Sequence, residues 1–370
     1  MKRSAQLDFF RGLLLIVITI DHALTYNNII KRFTYEFFGW VSAAEGFVYI
    51  SGLTAGLVYY HKYVERGEQH VVKAARDRVV TLYKYHLALL FFAFLIIISN
   101  FYITEYWSQY YGYLFQKPLL SILLSSALLY QPMFMDILPM YTIFVAFIPI
   151  LVKCFNKGLV WQVLATSIAI YIAGTLIHPY HVIDTLVSNK NIQTGFYNLL
   201  CWQLLFVMGA ISGFMFYNNK TKKLISNSYI VYICAFVALV LFVEKNLHFG
   251  IAEINIDRLT EKPGLGIIRL VNFIVLCFLV IHVASRNKNW FVNKYICYLG
   301  KYSLEVFSFH IILIITFMPL KVYLNNICTI KLTDNFYLYP LSSLFVLFLL
   351  VPALYLAPTL VNKRIVPITK

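Results

Sequence analysis

The chain has 370 residues, of which 60% are hydrophobic, 17% aromatic and only 13% charged. Soluble domains carry about 25% charged residues, so this composition excludes an ordinary soluble enzyme, a disordered chain and a disulfide-rich secreted scaffold. It predicts an all-α integral membrane protein. The net charge of +15 would suggest nucleic acid as the partner of a soluble protein, but in a membrane protein its distribution along the chain matters first.

Apolar stretches predict ten membrane-spanning helices, because a helix needs about 20 apolar residues to cross the hydrocarbon core. In chain order they cover Leu7–Tyr26, Gly39–Tyr60, Val79–Phe101, Met135–Phe155, Leu159–Ile177, Leu199–Tyr217, Ser228–Val243, Leu265–Ala284, Ser303–Leu324 and Leu338–Val361. A further stretch, Leu119–Tyr130, is too short to span and is predicted to lie at the interface or to re-enter. No linker divides the chain, so we expect a single domain over residues 1–370.

The basic residues predict the orientation of these spans. With ten spans and a cytoplasmic N-terminus, 20 of the 31 Lys and Arg residues fall on the cytoplasmic side and nine outside, as the positive-inside rule requires. The C-terminal residues Lys363, Arg364 and Lys370 are then cytoplasmic too. The first apolar run contains Arg11 and Asp21 and lacks a small-residue cleavage site, so no cleavable signal peptide is expected. The charge therefore indicates a lipid bilayer, not nucleic acid, as the partner.

Two predicted spans carry glycine pairs four residues apart, Gly52 with Gly56 and Gly209 with Gly213. Small residues at this spacing let two helices approach closely, and we interpret the similarity as helix packing in preference to an inverted repeat. The six cysteines contain no CxxC pair, so neither a disulfide framework nor a metal site is predicted. The absence of a Walker loop, a GxSxG elbow and an HExxH motif argues against an ATP pump, a serine hydrolase and a zinc protease.

Ionisable residues inside spans are costly and usually functional, so they are the candidate site residues. Arg11 and His22 are eleven residues apart, which places them within about 20° of one helix face and roughly 16 Å apart. Arg11 either forms a local ion pair with Asp8 or faces an anionic ligand that enters from the cytoplasm. His22, beside Asp21, is either a packing residue or a general base.

Other ionisable residues extend this candidate site toward both membrane surfaces. Glu45 begins the second span near the outer end of the first, so a pair with His22 that stabilises the protonated imidazole is geometrically possible. On the inner side, Arg78, His86 and His310 are predicted either to form a basic vestibule for a phosphorylated donor or to anchor the helices to anionic lipid.

The outer ends of several spans supply candidate acceptor-binding residues. Asp136 either caps the fourth span or faces an outer substrate. The indole of Trp202 suits sugar stacking, although tryptophan also belongs to the interfacial aromatic belt. Arg269 either contacts the acceptor or snorkels to the surface. The full candidate set is Asp136, Tyr141, Asn198, Trp202, Gln203 and Arg269.

Blocks along nearly the whole chain resemble OpgC-type proteins, the membrane succinyltransferases of osmoregulated periplasmic glucans. The blocks include Leu7-Asp-Phe-Phe-Arg-Gly12, Asp21-His22, Ala43-Ala-Glu45, Leu82-Tyr83 with His86, Asp136-Ile-Leu-Pro139 with Tyr141, Asn198 with Trp202-Gln203, and Ser303-Leu304 with His310. The spacing Arg11-x10-His22 is also similar to that of the acyltransferase-3 families. One departure is Val41-Ser42, where the OpgC pattern has Ser-Asp.

The resemblance implies an acyltransferase of the bacterial inner membrane that moves a succinyl or acetyl group from cytoplasmic acyl-CoA to hydroxyls of a periplasmic or cell-surface glycan. Acyl-CoA would be a co-substrate, with no bound cofactor and no metal. Arg11 would meet its phosphates, and His22 would be the base, oriented by Asp21 or Glu45. Two alternatives stay open: a proton-coupled secondary transporter with a buried relay, and a non-catalytic scaffold in a glycan assembly complex.

Overall fold

The computed structural model describes residues 3–99, 101–177, 195–220, 227–247, 256–287, 289–333 and 335–362, which are mostly helical. The helices before residue 178 are α1 (Ala5–Ala23), α2 (Ile29–Thr34), α3 (Ala43–Arg66), α4 (Glu68–Ile97), α5 (Phe101–Ser108), α6 (Gly112–Gln116), α7 (Pro118–Ser126), α8 (Ile137–Ala146), α9 (Ile148–Asn156) and α10 (Val160–Leu176). The later helices are α11 (Leu199–Tyr217), α12 (Ser228–Leu247), α13 (Ile256–Thr260), α14 (Ile267–Arg286), α15 (Lys294–Lys301), α16 (Ser303–Ile327) and α17 (Pro340–Leu360). A short antiparallel hairpin pairs β1 (Ile330–Lys331) with β2 (Tyr337–Leu338).

Within the described ranges, six helices are long and apolar enough to cross a membrane: α4, α11, α12, α14, α16 and α17. The pair α8 and α9, bent by 40°, makes a seventh if it is counted as one span. The bend lies beside Pro149, which has no N–H to continue the helical hydrogen-bond ladder. The other three predicted spans coincide with α1 and α3, which are apolar but carry three or more charged residues each, and with α10, which has 17 residues. The chain is thus a mostly helical, multi-pass membrane protein, and the ten-span topology with cytoplasmic termini stays a prediction.

Two further expectations concern the short segments of the chain. The apolar stretch after residue 118 contains α7, a helix of nine residues that extends only about 13 Å, so it is too short to span, as predicted. The C-terminal basic residues Lys363, Arg364 and Lys370 lie outside the described residues.

Helices α3 and α11 form the most extensive helix pair of the structure, and glycines make their contact. A Cβ atom at Gly52 or Gly56 would overlap a backbone carbonyl of α11, and a Cβ atom at Gly209 or Gly213 would overlap a backbone carbonyl of α3. The two backbones therefore touch directly, as small residues four apart allow. This confirms the interpretation of the two glycine pairs as a packing motif.

Helix α1 lies at the centre of the candidate site, packed along α15 and against α3 and α16. Gly12 and Gly300 permit the contact with α15, because a Cβ atom at either position would overlap backbone of the other helix. The chain from α1 to α3 passes through α2. In the loop between α1 and α2, the carbonyl of Asn27 accepts a hydrogen bond from the backbone N–H of Tyr337 at 2.9 Å. The hairpin thereby fixes the loop that follows the last turn of α1.

Candidate functional site

A cavity of about 1040 Å³ lies where the last turn of α1 meets the start of α3 and helix α16. Residues 131–137, 195–197 and 261–263 complete its wall. Ligand pockets in proteins have volumes of about 300–1,000 Å³, so this cavity has room for the reacting ends of two substrates. The acidic, basic and histidine side chains that line it are Asp21, His22, Lys31, Asp136, Glu261, Lys262 and Lys321.

His22 lies in the last turn of α1 with its ring at the cavity wall. The centroid of the ring is 4.7 Å from that of Phe134 and 5.7 Å from that of His310. Nδ1 is buried and has no hydrogen-bond partner among the residues that the structure describes. Nε2 is therefore the ring nitrogen available to a molecule in the cavity. An imidazole with one nitrogen open to a substrate has the geometry that a general base needs.

Asp21 lines the same cavity, but its carboxylate is directed to α2. The hydroxyl of Thr34 donates to Asp21 Oδ1 at 2.6 Å. No hydrogen bond joins Asp21 to His22 in the described part of the chain. The structure thus places the two residues side by side at the cavity wall without making Asp21 the partner of the imidazole.

Glu45 is fully buried and is paired with Arg269, not with His22. Arg269 Nη1 donates to Glu45 Oε1 at 2.8 Å, Nη2 donates to Glu36 Oε1 at 2.7 Å, and Nε donates to a backbone carbonyl of α13 at 3.0 Å. The backbone N–H and hydroxyl of Ser42 donate to Glu45 Oε2 at 3.0 and 2.6 Å. Two expectations are corrected: Glu45 does not pair with His22, and Arg269 neither snorkels nor reaches an acceptor, because its donors are engaged inside the protein.

Glu36 lies in the loop between α2 and α3, outside the membrane-spanning segments. Burial alone would raise the pKa of this carboxyl, but Arg269 and Lys245 outweigh burial and lower the pKa from its ordinary value. The Lys245 ammonium, on α12, is 3.5 Å from Glu36 Oε2. This ionised group therefore joins α12, α14 and the start of α3 beside the cavity.

Three lysine side chains line the cavity, and none forms an ion pair with a carboxylate that the structure describes. The ammonium groups of Lys31 and Lys262 lie 5.4 and 4.8 Å from the ring centroid of Tyr35. Lys321, on α16, is only 6% exposed, and its ammonium contacts the thioether sulfur of Met318 at 3.1 Å. A buried ammonium without a counter-ion is costly, so this side of the cavity favours an anionic group.

Arg11 faces a second, smaller pocket of about 390 Å³ toward the other end of α1. Asp8 is not its partner, because the Asp8 carboxylate accepts from Arg3 Nε at 2.5 Å and from Arg3 Nη2 at 2.9 Å. In the described ranges Arg11 donates no hydrogen bond and forms no ion pair. Lys62 and Arg66 add positive charge to the same pocket, which Asp8 and Glu65 also line. The interpretation of Arg11 as half of a local ion pair is wrong, and its guanidinium is free to bind an anion.

The other expected donor-side residues lie elsewhere. His86 is fully buried, and its Nε2 donates to the carbonyl of Ser125 at 3.0 Å, so it connects α4 to α7 and does not line an inner vestibule. His310 lies beside His22, because α15 and the first turns of α16 fold against α1. Arg78, on α4, is half-buried and does not line the Arg11 pocket.

Asp136 is the one expected acceptor-binding residue that lines the cavity. It occupies the N-cap position of α8, but its Oδ2 accepts from the backbone N–H of Phe196 at 3.1 Å instead of capping the helix. Trp202 is fully buried, and its Nε1 donates to the carbonyls of Lys262 and Pro263 at 3.2 and 3.1 Å. Its indole is therefore neither part of an interfacial belt nor a sugar-stacking platform, and it holds the 261–263 wall in place.

The remaining acceptor-side residues have structural contacts. Asn198 caps α11, with its side-chain oxygen accepting from the N–H of Leu200 at 3.0 Å and its amide donating to a carbonyl of α10 at 2.8 Å. Gln203 accepts from the hydroxyl of Ser167 at 2.7 Å and donates to the carbonyl of the same residue at 2.8 Å. Tyr141 packs its ring against α11. The amides of Asn198 and Gln203 thus join α10 to α11, and none of these three acceptor-side residues lines the cavity.

Sequence reasoning missed the lysine side of the cavity. Lys31, Lys262 and Lys321 are among the nine basic residues that the ten-span topology places outside the membrane. Nothing in the sequence indicates that Lys31 and Lys262 lie over the same ring of Tyr35. Lys321, however, falls inside the predicted span Ser303–Leu324. An ionisable residue within a span is the signal that would have identified it.

The fold and the site together define a multi-pass membrane protein with a histidine-lined cavity at one end of α1 and an open arginine toward the other. A family model described as OpgC protein matches residues 3–352, and the chain belongs to this family. Membership indicates a glycan-modifying acyltransferase in general. Searches of the curated proteins and of the solved structures found no significant match.

Proposed function

We propose that this protein transfers an acyl group from cytoplasmic acyl-CoA to a hydroxyl of a periplasmic or cell-surface glycan, as a multi-pass enzyme of the bacterial inner membrane. One observation carries the proposal. Arg11 and His22 stand on one helix, each without a hydrogen-bond partner in the described part of the chain, and each opens to its own pocket. A helix rises about 1.5 Å per residue, so α1 separates the two groups by roughly 16 Å.

The smaller pocket suits the charged end of acyl-CoA. Arg11, Lys62 and Arg66 supply the donors that phosphate groups require, and a guanidinium can bind a phosphate in a bidentate manner. The thioester then lies further along α1, toward His22. Basic residues at this end also agree with a cytoplasmic N-terminus.

The larger cavity suits the reaction itself. Nε2 of His22 takes the proton of the acceptor hydroxyl while the hydroxyl oxygen attacks the thioester carbonyl carbon. When the tetrahedral intermediate collapses, the carbon–sulfur bond breaks and the proton passes from Nε2 to the leaving thiolate. The products are the acyl ester and the CoA thiol, and His22 returns to its initial state.

The lysine side of the cavity supports succinyl over acetyl as the transferred group. A succinyl thioester ends in a free carboxylate, and Lys31, Lys262 and Lys321 are ammonium groups without carboxylate partners among the described residues. An acetyl group would leave the buried Lys321 ammonium uncompensated, which is unfavourable. On the acceptor side, Asp136 and the aromatic rings of Tyr35 and Tyr197 provide the polar and flat surfaces that sugars contact.

Mass spectrometry of cell-envelope glycans tests the proposal. A deletion strain is complemented with the wild-type protein, with His22→Ala, or with His70→Ala as a matched control at an exposed histidine on α4. We expect added masses of succinyl groups with the wild-type protein and with His70→Ala, and none with His22→Ala at equal membrane abundance. Wild-type modification in the His22→Ala strain would refute the role of His22. Proton-coupled solute uptake by the purified protein in liposomes, without acyl transfer, would identify a transporter instead.

A further inference from the structure

The rings of His22 and His310 are neighbours, and each has one buried nitrogen without a hydrogen-bond partner among the described residues. Their ring centroids are 5.7 Å apart, with 36° between the planes. The unpartnered buried atoms are Nδ1 of His22 and Nε2 of His310. Buried polar atoms are almost always hydrogen-bonded, so two such nitrogens on adjacent rings require an explanation.

The tautomer of His310 follows from its other nitrogen. Nδ1 of His310 contacts the backbone carbonyl of Phe307, and a carbonyl oxygen only accepts, so Nδ1 carries the hydrogen. In the neutral ring, Nε2 then has a lone pair and is an acceptor. It lies in a fully buried position next to the ring of His22, whose Nδ1 is the complementary unpartnered atom.

The carboxylates near His22 are hydrogen-bonded to other groups. Both oxygens of Glu45 are bonded to Arg269 and Ser42, and Asp21 accepts from Thr34. A catalytic imidazole commonly has its second nitrogen held by a carboxylate or carbonyl, which fixes the tautomer and stabilises the cation. Among the residues that the structure describes, no carboxylate is hydrogen-bonded to His22.

We propose that His310 is the positioning residue for His22: its Nε2 accepts a hydrogen bond from His22 Nδ1–H and thereby presents His22 Nε2 as the base. The proposal rests on the proposed function of His22 in acyl transfer. The hydrogen bond forms when the two neighbouring rings bring these nitrogens to 2.7–3.2 Å, and catalytic hydrogen bonds often tighten only when substrate is bound. When Nε2 of His22 takes the hydroxyl proton, the positive charge is shared across the same hydrogen bond.

Two variants separate positioning from packing. Gln in place of His310 puts an acceptor oxygen near the position of Nε2, whereas Asn puts its amide near the position of Nδ1, where it can donate to Phe307 but cannot reach His22. We expect His310→Asn to lower kcat about 10- to 100-fold, within the range of acid–base contributions, with the KM for acyl-CoA unchanged. His310→Gln is expected to retain kcat within a few-fold of the wild-type protein.

The outcomes distinguish this proposal from the proposed function. Wild-type kcat in His310→Asn, or equal losses in both variants, overturns the role of His310, while His22→Ala still reports separately on transfer. If His310→Asn does not fold, nitrogen NMR of histidine-labelled wild-type protein decides, with the His22 signal assigned from its loss in His22→Ala. Protonated Nδ1 and unprotonated Nε2 on His22 are expected, and the reverse tautomer overturns the proposal.

Discussion

Removing the guanidinium of Arg269 is predicted to destabilise the protein more than any exposed charge substitution. Arg269→Met keeps most of the side-chain volume but deletes both charged hydrogen bonds, at 2.8 Å to Glu45 and 2.7 Å to Glu36. Glu45 is then a fully buried carboxylate whose remaining partner is Ser42. Glu36 keeps the longer contact with Lys245 at 3.5 Å.

The expected magnitude follows from burial. The side chains of Arg269 and Glu45 are 3% and 0% exposed, and loss of one partner from a buried ion pair costs about 3–5 kcal/mol, because the other charge stays buried. The matched control is Lys245→Met. The Lys245 side chain is 27% exposed, and partly exposed pairs contribute about 1 kcal/mol or less.

The same cluster gives stability a defined pH dependence. The pKa of Glu36 is lowered in the folded protein, where Arg269 and Lys245 outweigh the opposing effect of burial. A carboxyl with a lowered pKa stabilises the folded state above its unfolded pKa, and the stabilisation is lost as the pH falls through the folded value. We therefore expect the contribution of Glu36 to be complete above the ordinary carboxyl pKa of 4.5 and to decline below it.

The assay is denaturant titration of the purified protein in mixed micelles, which gives the free energy of unfolding for the wild-type protein, Arg269→Met and Lys245→Met. We expect a loss of about 3–5 kcal/mol in Arg269→Met and about 1 kcal/mol or less in Lys245→Met. Equal effects of the two substitutions, or a loss below about 1 kcal/mol in Arg269→Met, would show that Glu45 and Glu36 are not charged and buried as the geometry indicates.

Three other predictions concern packing and the two pockets. Gly209→Ala should lower the free energy of unfolding by about 1–3 kcal/mol, because overpacking costs this much. The control Gly112→Ala should leave the free energy of unfolding unchanged, because the nearest atom to its new Cβ is a side-chain atom 4.0 Å away. Equal free energies for the two variants in denaturant titrations would contradict the backbone contact. Arg11→Ala should raise the KM for acyl-CoA about 10- to 100-fold in a CoA-release assay, as expected for a lost charged hydrogen bond, and the exposed control Lys153→Ala should leave the KM unaltered. Lys321→Met should reduce kcat/KM for succinyl-CoA at least about tenfold without reducing that for acetyl-CoA, and parallel losses for both donors would exclude carboxylate recognition.

The sequence predicted the bounds of a helix correctly where the apolar stretch and the helix end at the same residues. The predicted span Leu199–Tyr217 has the same bounds as α11, because Asn198 caps its start and the apolar run ends with the helix. Helix α4 begins at Glu68, eleven residues before the predicted span at Val79. Hydropathy marks the part of a helix that suits the membrane and not the polar turns that extend beyond it.

The candidate site was predictable along α1 and not across helices. Helical periodicity placed Arg11 and His22 on one face, and the structure opens a pocket at each. The partners of Arg269 are 224 and 233 residues away in sequence. Such pairs depend on how the helices pack against one another. Helical periodicity in a single sequence does not predict that packing. The same reason explains why His310 was expected at an inner surface and lies beside His22.

The glycine contact between α3 and α11 determines which parts of the enzyme can move during a catalytic cycle. Where the two backbones touch, no side chain can change rotamer to let one helix slide along the other. Helices α3 and α11 therefore move as one rigid unit. The start of α3 contributes Ser42, Ala43 and Ala44 to the cavity wall, and this wall is immobile on the same grounds. Entry and release of substrates must therefore rely on cavity-lining elements other than the start of α3, among them α2, which contributes Lys31.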